Sequence, residues 1–488
     1  MHPVDFRVRQ ALHGVAATRS IEQAVQAILP PHTLMQRAGL AVAQLSLAIA
    51  PHARTVWIAC GPGNNGGDGL EAALHLQRWG KAPVVTWLGK PDTAPPDAVA
   101  SYQRAVDAGV CFAETPPNHC DLCIDALLGV GAHSRAPEGR MAAWITQLNA
   151  GLAPVLAVDL PTGLHADTGH ATLHSVKASH TLSLLTLKPG LFTAHGRDAA
   201  GLVWFHDLDT TGEAGACQPT TGPSAWLAGW PSIPPRPHAS HKGRFGDVAV
   251  VGGGPGMTGA ALLAASAALH AGAGRVFVGL LDGGSLSADP QRPELMFRPV
   301  QTLDFSAMAV VCGCGGGEVM SGYLAPILSV SARAVLDADA LNAIASNTPL
   351  QVLLTARCQR QADTVLTPHP LEAARLLGVT TAQVQQDRLA AAQELASRFA
   401  CTVVLKGSGT VIAAPGQTPV INPTGDARLA TAGTGDVLAG MVGARLAGGL
   451  EAFEAACQAV YHHGLAADRW PAGPTLVAGA LARHIQPH

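Results

Sequence analysis

Apolar positions along this chain recur with two periods. Short apolar runs at 55–60, 84–88, 122–127, 155–158 and 181–187 alternate with stretches whose apolar residues return every three or four positions, as at 33–49 and 70–79. Uninterrupted runs of that length read as strands covered on both faces, and the longer period reads as amphipathic helix. The alternation predicts a doubly wound, mostly parallel sheet with helices on both faces. After residue 240 the same alternation resumes. A strand at 247–252 leads through a glycine turn to an alanine-rich helix at 260–270 and a strand at 275–281 ending on Asp282. Further strand ends follow near 309–317, 335–339, 365–370 and 401–407, and an apolar helical run covers 437–446.

From 209 to 240 the pattern lapses into Gly, Pro, Thr and Ser, with Pro231, Pro234, Pro235 and Pro237 close together. Such composition reads as a linker. The expected organisation is therefore α/β throughout, with one domain at 1–212, a linker at 213–240 and a second domain at 241–488.

Composition narrows the functional classes. At 488 residues the chain exceeds one typical domain, and 48% hydrophobic against 13% charged residues leaves little room for disorder. A net charge of −3 and 4% aromatic residues supply neither a basic face nor a stacking surface for nucleic acid. No apolar run is long enough to span a bilayer, and residues 1–10 lack the apolar core of a secretion signal. A cytoplasmic protein without membrane or nucleic-acid partners is expected. The scattered cysteines fit a reducing compartment. Cys120-Asp-Leu-Cys123 has redox or zinc spacing, but no second pair follows at zinc-site distance, and core or loop thiols are the simpler reading.

The polar candidates fall at predicted strand ends, where open α/β sheets bind ligands. Gly61-Pro-Gly-Asn-Asn-Gly-Gly-Asp-Gly69 ends the first strand, Asp125 the strand before Leu127-Leu-Gly-Val-Gly131, and Asp159 the next, while Lys188 follows the strand at 181. Gly61-x-Gly63-x-x-Gly66 and Gly254-x-Gly256-x-x-Gly259 both match the dinucleotide fingerprint. In the first, two asparagines and an aspartate fill the loop, which reads as a polar pocket rather than a phosphate cradle. Near the end of the chain, Ala432-Gly-Thr-Gly-Asp436 precedes the helical run. Bare amides at a helix N-terminus favour an anion, and Asp436 in the first turn can accept a proton from a hydroxyl held there. A glycine-rich turn capped by Asp436 is the alternative.

Residues 61–69, Asp125-x-x-x-Gly129 and Val158-Asp-Leu-Pro-Thr-Gly-Leu-x-Ala-Asp167-Thr-Gly resemble the N-terminal domain of the NAD(P)H-hydrate epimerases. The resemblance implies a Rossmann-like doubly wound domain that epimerises hydrated NADH and NADPH. It implies a substrate site formed by Asn64, Asn65, Gly66, Gly67, Asp68, Gly129, Val130, Gly131, Ala132, His133, Ser134, Arg135 and Asp159. It further implies potassium held by Asn65, Asp125 and Thr162, with Thr162 standing where serine is expected. Asp159 is the expected proton-transfer residue and Lys188 its helper.

The second half, with Gly256-Met-Thr-Gly-Ala-Ala261, Thr367-Pro-His-Pro370 and Lys406-Gly-Ser-Gly-Thr410, resembles the ADP- or ATP-dependent NAD(P)H-hydrate dehydratases, which have a ribokinase-like fold. That resemblance implies that Ala260, Gly315, Gly317, His369 and Asp436 contact the hydrated cofactor. Lys406, Gly407, Ser408, Gly409, Thr410 and Gly435 would contact ADP or ATP, with magnesium. Asp436 would deprotonate the ring hydroxyl for phosphorylation, after which phosphate leaves. Cys314 stands where a proline is usual. Together the halves imply a bifunctional repair enzyme for NADHX and NADPHX, expected as a homo-oligomer and leaning towards ADP as donor. Three other readings stay open: a non-catalytic first half that binds a ribosylated ligand, a second half that is a small-molecule kinase and, behind both, a dehydrogenase suggested by the two fingerprint matches.

Overall fold

The computed structural model describes residues 1–131, 136–210, 222–233 and 235–485. The chain divides into two compact units, Met1–Asp5 with Ala11–Ala225, and Phe6–Gln10 with Trp226–His488. Trp226 onward, within the segment expected as linker, thus packs with the second unit. There Ala225–Leu227 runs parallel to Val420–Ile421, through Trp226 and Leu227. The N-terminal stretch 6–10 joins the same unit: Tyr461 Oη donates to Phe6 O at 2.8 Å and the Arg9 guanidinium lies 4.4 Å over the Trp226 ring.

The first unit holds an eight-stranded sheet. Its order is His2–Pro3, Leu202–His206, His180–Leu184, Val155–Val158, Leu122–Ala126, Thr55–Cys60, Ala82–Trp87 and Cys111–Phe112. Only the first pair is antiparallel. The chain leaves Thr55–Cys60 towards one edge and returns on its other side at Leu122–Ala126. Between those two strands lies the switch point, where their following loops diverge and open a crevice. The predicted strands at 55–60 and 155–158 match the observed bounds, as does the helix Thr33–Ile49.

One element differs in a way that matters. The helix expected from residue 70 runs over Asn64–Arg78, so the polar cluster 64–68 forms its first turns rather than a loop. Glycine permits this. A Cβ on Gly66 would sit 2.0 Å from Gly61 O and one on Gly67 2.7 Å from Met35 Cε. The helix can therefore begin directly against the strand end.

The second unit is also built on a parallel sheet. It runs Met296–Phe297, Arg275–Leu280, Asp247–Gly252, Ala309–Cys312, Arg333–Leu336, Asp363–Leu366 and Thr402–Leu405, then continues antiparallel through Val411–Ala413 and Val420–Ile421. Helices Thr258–His270 and Thr434–Ala447 cross so closely that a Cβ on Gly440 would lie 2.0 Å from Ala264 O. Val437, Met441 and Val442 are wholly buried there with Ala264, Ala265 and Ala268. The alanine-rich helix is a device for close packing, which anchors the turn carrying Asp436. Both halves are α/β, the class read from the sequence.

Candidate active sites

In the first unit a cleft of about 450 Å³ opens at the switch point. Asn64, Asn65, Asp68, Gly129, Val130, Gly131, Asp159 and Lys188 all line it. Gly66 and Gly67 do not; they are buried under the helix start, where their lack of a side chain serves packing. Ala132, His133, Ser134 and Arg135 lie outside the described residues.

Asp159 is held by its backbone as much as by its partners. Leu160 N donates to Val158 O at 2.8 Å across Asp159, whose φ is +67°. On the neighbouring strand Thr186 N donates to Leu184 O at 2.7 Å across Leu185, with φ +63°. These are three-residue turns of the hand that L residues rarely adopt, at a cost of about 1–3 kcal/mol each. They aim two adjacent strand ends into the same cleft. The buried Lys188 Nζ donates to Asp159 Oδ1 and, at 2.7 Å, to Leu184 O. Leu184 N donates to the same carboxylate oxygen at 3.2 Å. Asp68, on the facing helix, is held well above the usual carboxylate range, first by burial and then by the negative charge of Asp159 and Glu22.

Asp125 and Thr162 lie beneath the cleft, fully buried. Asp125 accepts from Thr162 Oγ1 at 2.7 Å, Thr162 N at 2.8 Å and Leu127 N at 3.2 Å, while Thr162 Oγ1 accepts from Leu128 N at 3.0 Å. Burial pushes Asp125 up to about 6 despite those donors, and no cation pairs with it among the described residues. Asn65 packs its amide against Gly129, where a Cβ would stand 2.9 Å from Oδ1. Its Nδ2 has no hydrogen-bond partner among the described residues.

In the second unit the carboxyl ends of four adjacent strands converge. Cys314 follows Ala309–Cys312, Asp337 follows Arg333–Leu336, Thr367 follows Asp363–Leu366 and Lys406 follows Thr402–Leu405. Lys406 Nζ and Thr367 Oγ1 each donate to Asp337 Oδ1 at 2.7 Å. Ligand atoms of Cys314, Asp337 and Asp436 lie within 4.8 Å of one another. Asp436 belongs to the first turn of Thr434–Ala447, a helix that begins three residues before the apolar run marks it. Gly433, at φ +89°, makes that entry. Burial first and the charge of Asp337 second raise Asp436 to about 7, against lowering by the Cys314 thiol and Lys406. Burial and the two facing carboxyls keep Cys314 protonated. Burial alone would lower Lys406, but Asp337 and Glu372 outweigh it and its pKa is raised.

Gly435 adjoins Lys406, since a Cβ there would lie 3.3 Å from Nζ. Ala260 adjoins Gly315, whose positive φ of 58° and contact with Met257 exclude a side chain. Gly317 N donates to Asp339 Oδ2 at 2.9 Å. His369 caps the helix Pro370–Leu377, its Nδ1 accepting from Leu371 N and Glu372 N, and burial followed by Lys406 lowers its pKa. Gly407, at φ +135°, lies against the Arg388 guanidinium, and Thr410 Oγ1 donates back to Gly407 O at 3.0 Å. Arg388 Nη2 donates to Leu405 O and Lys406 O, both at 3.1 Å, bracing the turn 405–407 that also leads to Ser408 and Gly409.

Sequence reasoning left out several of these groups. Asp337 was visible as a strand-end aspartate of the same kind as Asp159. Arg388 opens the helix Arg388–Phe399 and carries no local signal. Thr18, Arg19 and Glu22, on the helix Val15–Gln26, and Asp97 line the first cleft, and nothing local links them to it.

Comparison with known proteins finds a family match for each half of the chain. Residues 248–487 match the family model described as NAD(P)H-hydrate dehydratase, and residues 31–190 that of the YjeF-related protein N-terminus. The bifunctional NAD(P)H-hydrate repair enzyme Nnr of Escherichia coli (strain K12) is 34% identical over 460 residues, covering 90% of this chain and 85% of that protein. The enzyme of the same name from Coxiella burnetii is 34% identical over 486 residues, 96% of each. The ADP-dependent (S)-NAD(P)H-hydrate dehydratase of Neisseria meningitidis serogroup B is 45% identical over 259 residues, 52% of this chain and 86% of that one. Among solved structures, the ADP/ATP-dependent NAD(P)H-hydrate dehydratase of Bacillus subtilis is 31% identical with a TM-score of 0.46, over 52% of this chain and 92% of that one. With a third of its residues shared along nine-tenths of its length, the chain belongs to the family of bifunctional NAD(P)H-hydrate repair enzymes.

Proposed function

We propose that the chain repairs hydrated nicotinamide cofactors in two steps. The first unit interconverts the R and S epimers of NAD(P)HX. The second dehydrates the S epimer, with ADP as phosphoryl donor, to NAD(P)H, AMP and phosphate. The observation that carries the second step is Asp436, a carboxyl raised to about 7 in a first helical turn beside Lys406 and Gly435. A base near the working pH is half ionised and can take the hydroxyl proton of a bound substrate. Amides 433–435 and the Lys406 ammonium then face the transferring phosphoryl group, whose loss restores the ring double bond. Ala260, Gly315, Gly317 and His369 would hold the hydrated ring, and residues 406–410 the nucleotide. The ADP dependence named for the Neisseria relative supports ADP over ATP.

Magnesium would travel with the nucleotide phosphates. The carboxyls of Asp337 and Asp436 lie with a thiol, which is a poor magnesium partner, and Asp337 is already engaged by Lys406 and Thr367. In the first unit, Asn65, Asp125 and Thr162 suit potassium better. Their donors are hard oxygens, and Asp125 is a buried carboxyl without an ion pair among the described residues. The ion would neutralise Asp125 and fix the amide at the cleft edge. Asp159, hydrogen-bonded by Lys188, is the proposed proton-transfer residue of epimerisation. The same proposal includes a cytoplasmic homo-oligomer; no helix among the described residues is long and apolar enough to cross a membrane.

The test is a mixture of both NADHX epimers with ADP, magnesium and potassium, followed by NADH absorbance and phosphate release. Wild type converts both epimers, Asp436→Ala forms no NADH, and Asp159→Ala stalls with the R epimer left once spontaneous exchange is subtracted. A stable phosphorylated product without NADH would instead make the second unit a kinase. Conversion of the R epimer at the spontaneous rate alone would make the first unit a binding module.

A further inference from the structure

We propose that Glu22 is the second proton-transfer group of the epimerase site, supplying a proton to the ring nitrogen while the Asp159–Lys188 pair takes the hydroxyl proton. The assignment rests on the epimerase reading above and adds a residue outside every motif that carries it.

The geometry begins with how Val15–Gln26 is fastened. His13 N donates to Leu187 O at 2.8 Å, Val15 N donates to Asp167 Oδ1 at 2.8 Å, and Thr18 Oγ1 shares a buried 2.8 Å hydrogen bond with Thr186 Oγ1. These bonds pin the helix onto the turn that carries Leu185 and leads to Lys188. Residues four apart lie on one helical face. Thr18, Glu22 and Gln26 form such a row, and all three line the cleft that Asp159 and Lys188 line. The row is thus held by its first member against the loop of the proposed catalytic lysine, and its second member presents a carboxyl to the same space.

Burial first and the Asp159 charge second favour a carboxylic acid at Glu22. Burial raises its pKa and Asp159 raises it further; Lys188 and Arg19 work against this, and Asp97 adds a smaller raising effect. Asp68 feels both Asp159 and Glu22 and is raised as well. Asp97 has its own partner in His32, 2.5 Å away. Lys188 donates directly to Asp159, and Glu22 feels its charge without such a bond. A raised carboxyl beside another that a lysine bonds directly is an arrangement that suits an acid and a base in one site.

The carbon to be inverted bears both the hydroxyl and the ring nitrogen. Asp159 accepts the hydroxyl proton as the carbon–oxygen bond becomes a carbonyl. The carbon–nitrogen bond breaks, its electron pair goes to nitrogen, and the Glu22 carboxylic acid protonates that nitrogen. After rotation about the adjacent carbon–carbon bond, nitrogen attacks the other carbonyl face and returns its proton to Glu22. The new alkoxide recovers its proton from Asp159. No atom is gained or lost, and both groups end as they began.

The experiment uses the full chain with the purified R epimer, resolving epimers chromatographically, in wild type, Glu22→Gln, Glu22→Asp and Asp68→Asn. Dehydration of the purified S epimer, a reaction of the other unit, is measured in the same preparations as a control for folding. Expected for Glu22→Gln is a fall of about 10²-fold in epimerase kcat with KM little changed and S-epimer dehydration intact. Wild-type rate should fall as pH rises through the Glu22 pKa, because the acid is then spent, and Glu22→Gln should lack that limb. Glu22→Asp recovers part of kcat and keeps the limb. The assignment is overturned if Glu22→Gln retains kcat and the alkaline limb, if only KM changes, or if Asp68→Asn alone removes the limb. Wild type that does not epimerise at all sinks the proposed function together with this residue, whereas an active, unaffected Glu22→Gln sinks only the residue.

Discussion

The two units hold the same pair of charges in opposite ways. Each has a buried aspartate at a strand end bound to a lysine from another strand end, Asp159 with Lys188 across adjacent strands and Asp337 with Lys406 across one intervening strand. Each has another carboxyl nearby that burial raises, Asp68 in the first unit and Asp436 in the second. In the first unit the proposed base is the lysine's partner. In the second it is the carboxyl that the lysine does not bind directly. The difference follows the chemistry proposed for each. Proton exchange in both directions is served by a carboxyl that a directly bonded lysine holds in place. Single deprotonation before phosphoryl transfer is served by a carboxyl poised near 7, with the ammonium left beside the developing phosphate charge.

The sharpest way to break this comparison is Asp436→Asn. Dehydration of the S epimer should fall by about 10²–10⁴-fold, measured as NADH release, while epimer exchange continues. The same variant should melt higher at neutral pH, by about 2–4 °C for each kcal/mol gained. The sign is fixed by the raised pKa. A carboxyl whose folded-state pKa lies above its unfolded value contributes stability that is present at low pH and lost as pH rises through about 7. Asparagine removes that loss, so the two melting curves should converge in acid.

Next in size, Lys188→Met strands Asp159 as a buried charge without its ammonium, and should destabilise the first unit by about 3–5 kcal/mol. Combining it with Asp159→Leu should return most of that stability in urea unfolding, and none of the epimerase activity. An unchanged midpoint in the single variant would mean that the pair is not buried as described.

Smaller again is the pH dependence of the second unit. Since Asp436 must be ionised to act, dehydratase kcat should climb about tenfold between pH 6 and pH 8, centred near 7. The least effect belongs to Cys314→Ala. The thiol lowers Asp436, so its removal should shift the midpoint of that profile upward, by less than about one pH unit and with kcat on the plateau nearly unchanged. A downward shift would contradict the described arrangement.

Much of this was legible in residue order because strand-end chemistry is local. A run such as 155–158 must end where Asp159 follows, and a parallel sheet brings such ends to one edge whatever the loop lengths. The glycine-rich clusters at 61–69 and 432–435 likewise mark tight entries into the helices Asn64–Arg78 and Thr434–Ala447. Legibility failed where local pattern and packing disagree. The polar sequence 64–68 reads as a loop, yet it is helix, because Gly66 lets the chain turn within contact of Gly61 O. The run 437–446 hides three earlier helical residues because threonine, glycine and aspartate carry no apolar period.

The sequence by itself determined two α/β sheets, their strand-end aspartates and lysines, and the family to which such motifs point. Tertiary structure alone decided which lysine meets which aspartate, that Cys314 faces Asp337 and Asp436, and that Arg388 braces the turn behind Lys406. It alone brought Glu22, more than a hundred residues from Asp159 in sequence, to the same cleft. The reason is physical. Strand and helix formation depend on neighbours a few residues apart, whereas ion pairing, burial and the pKa shifts they cause depend on groups that meet only when separate elements pack.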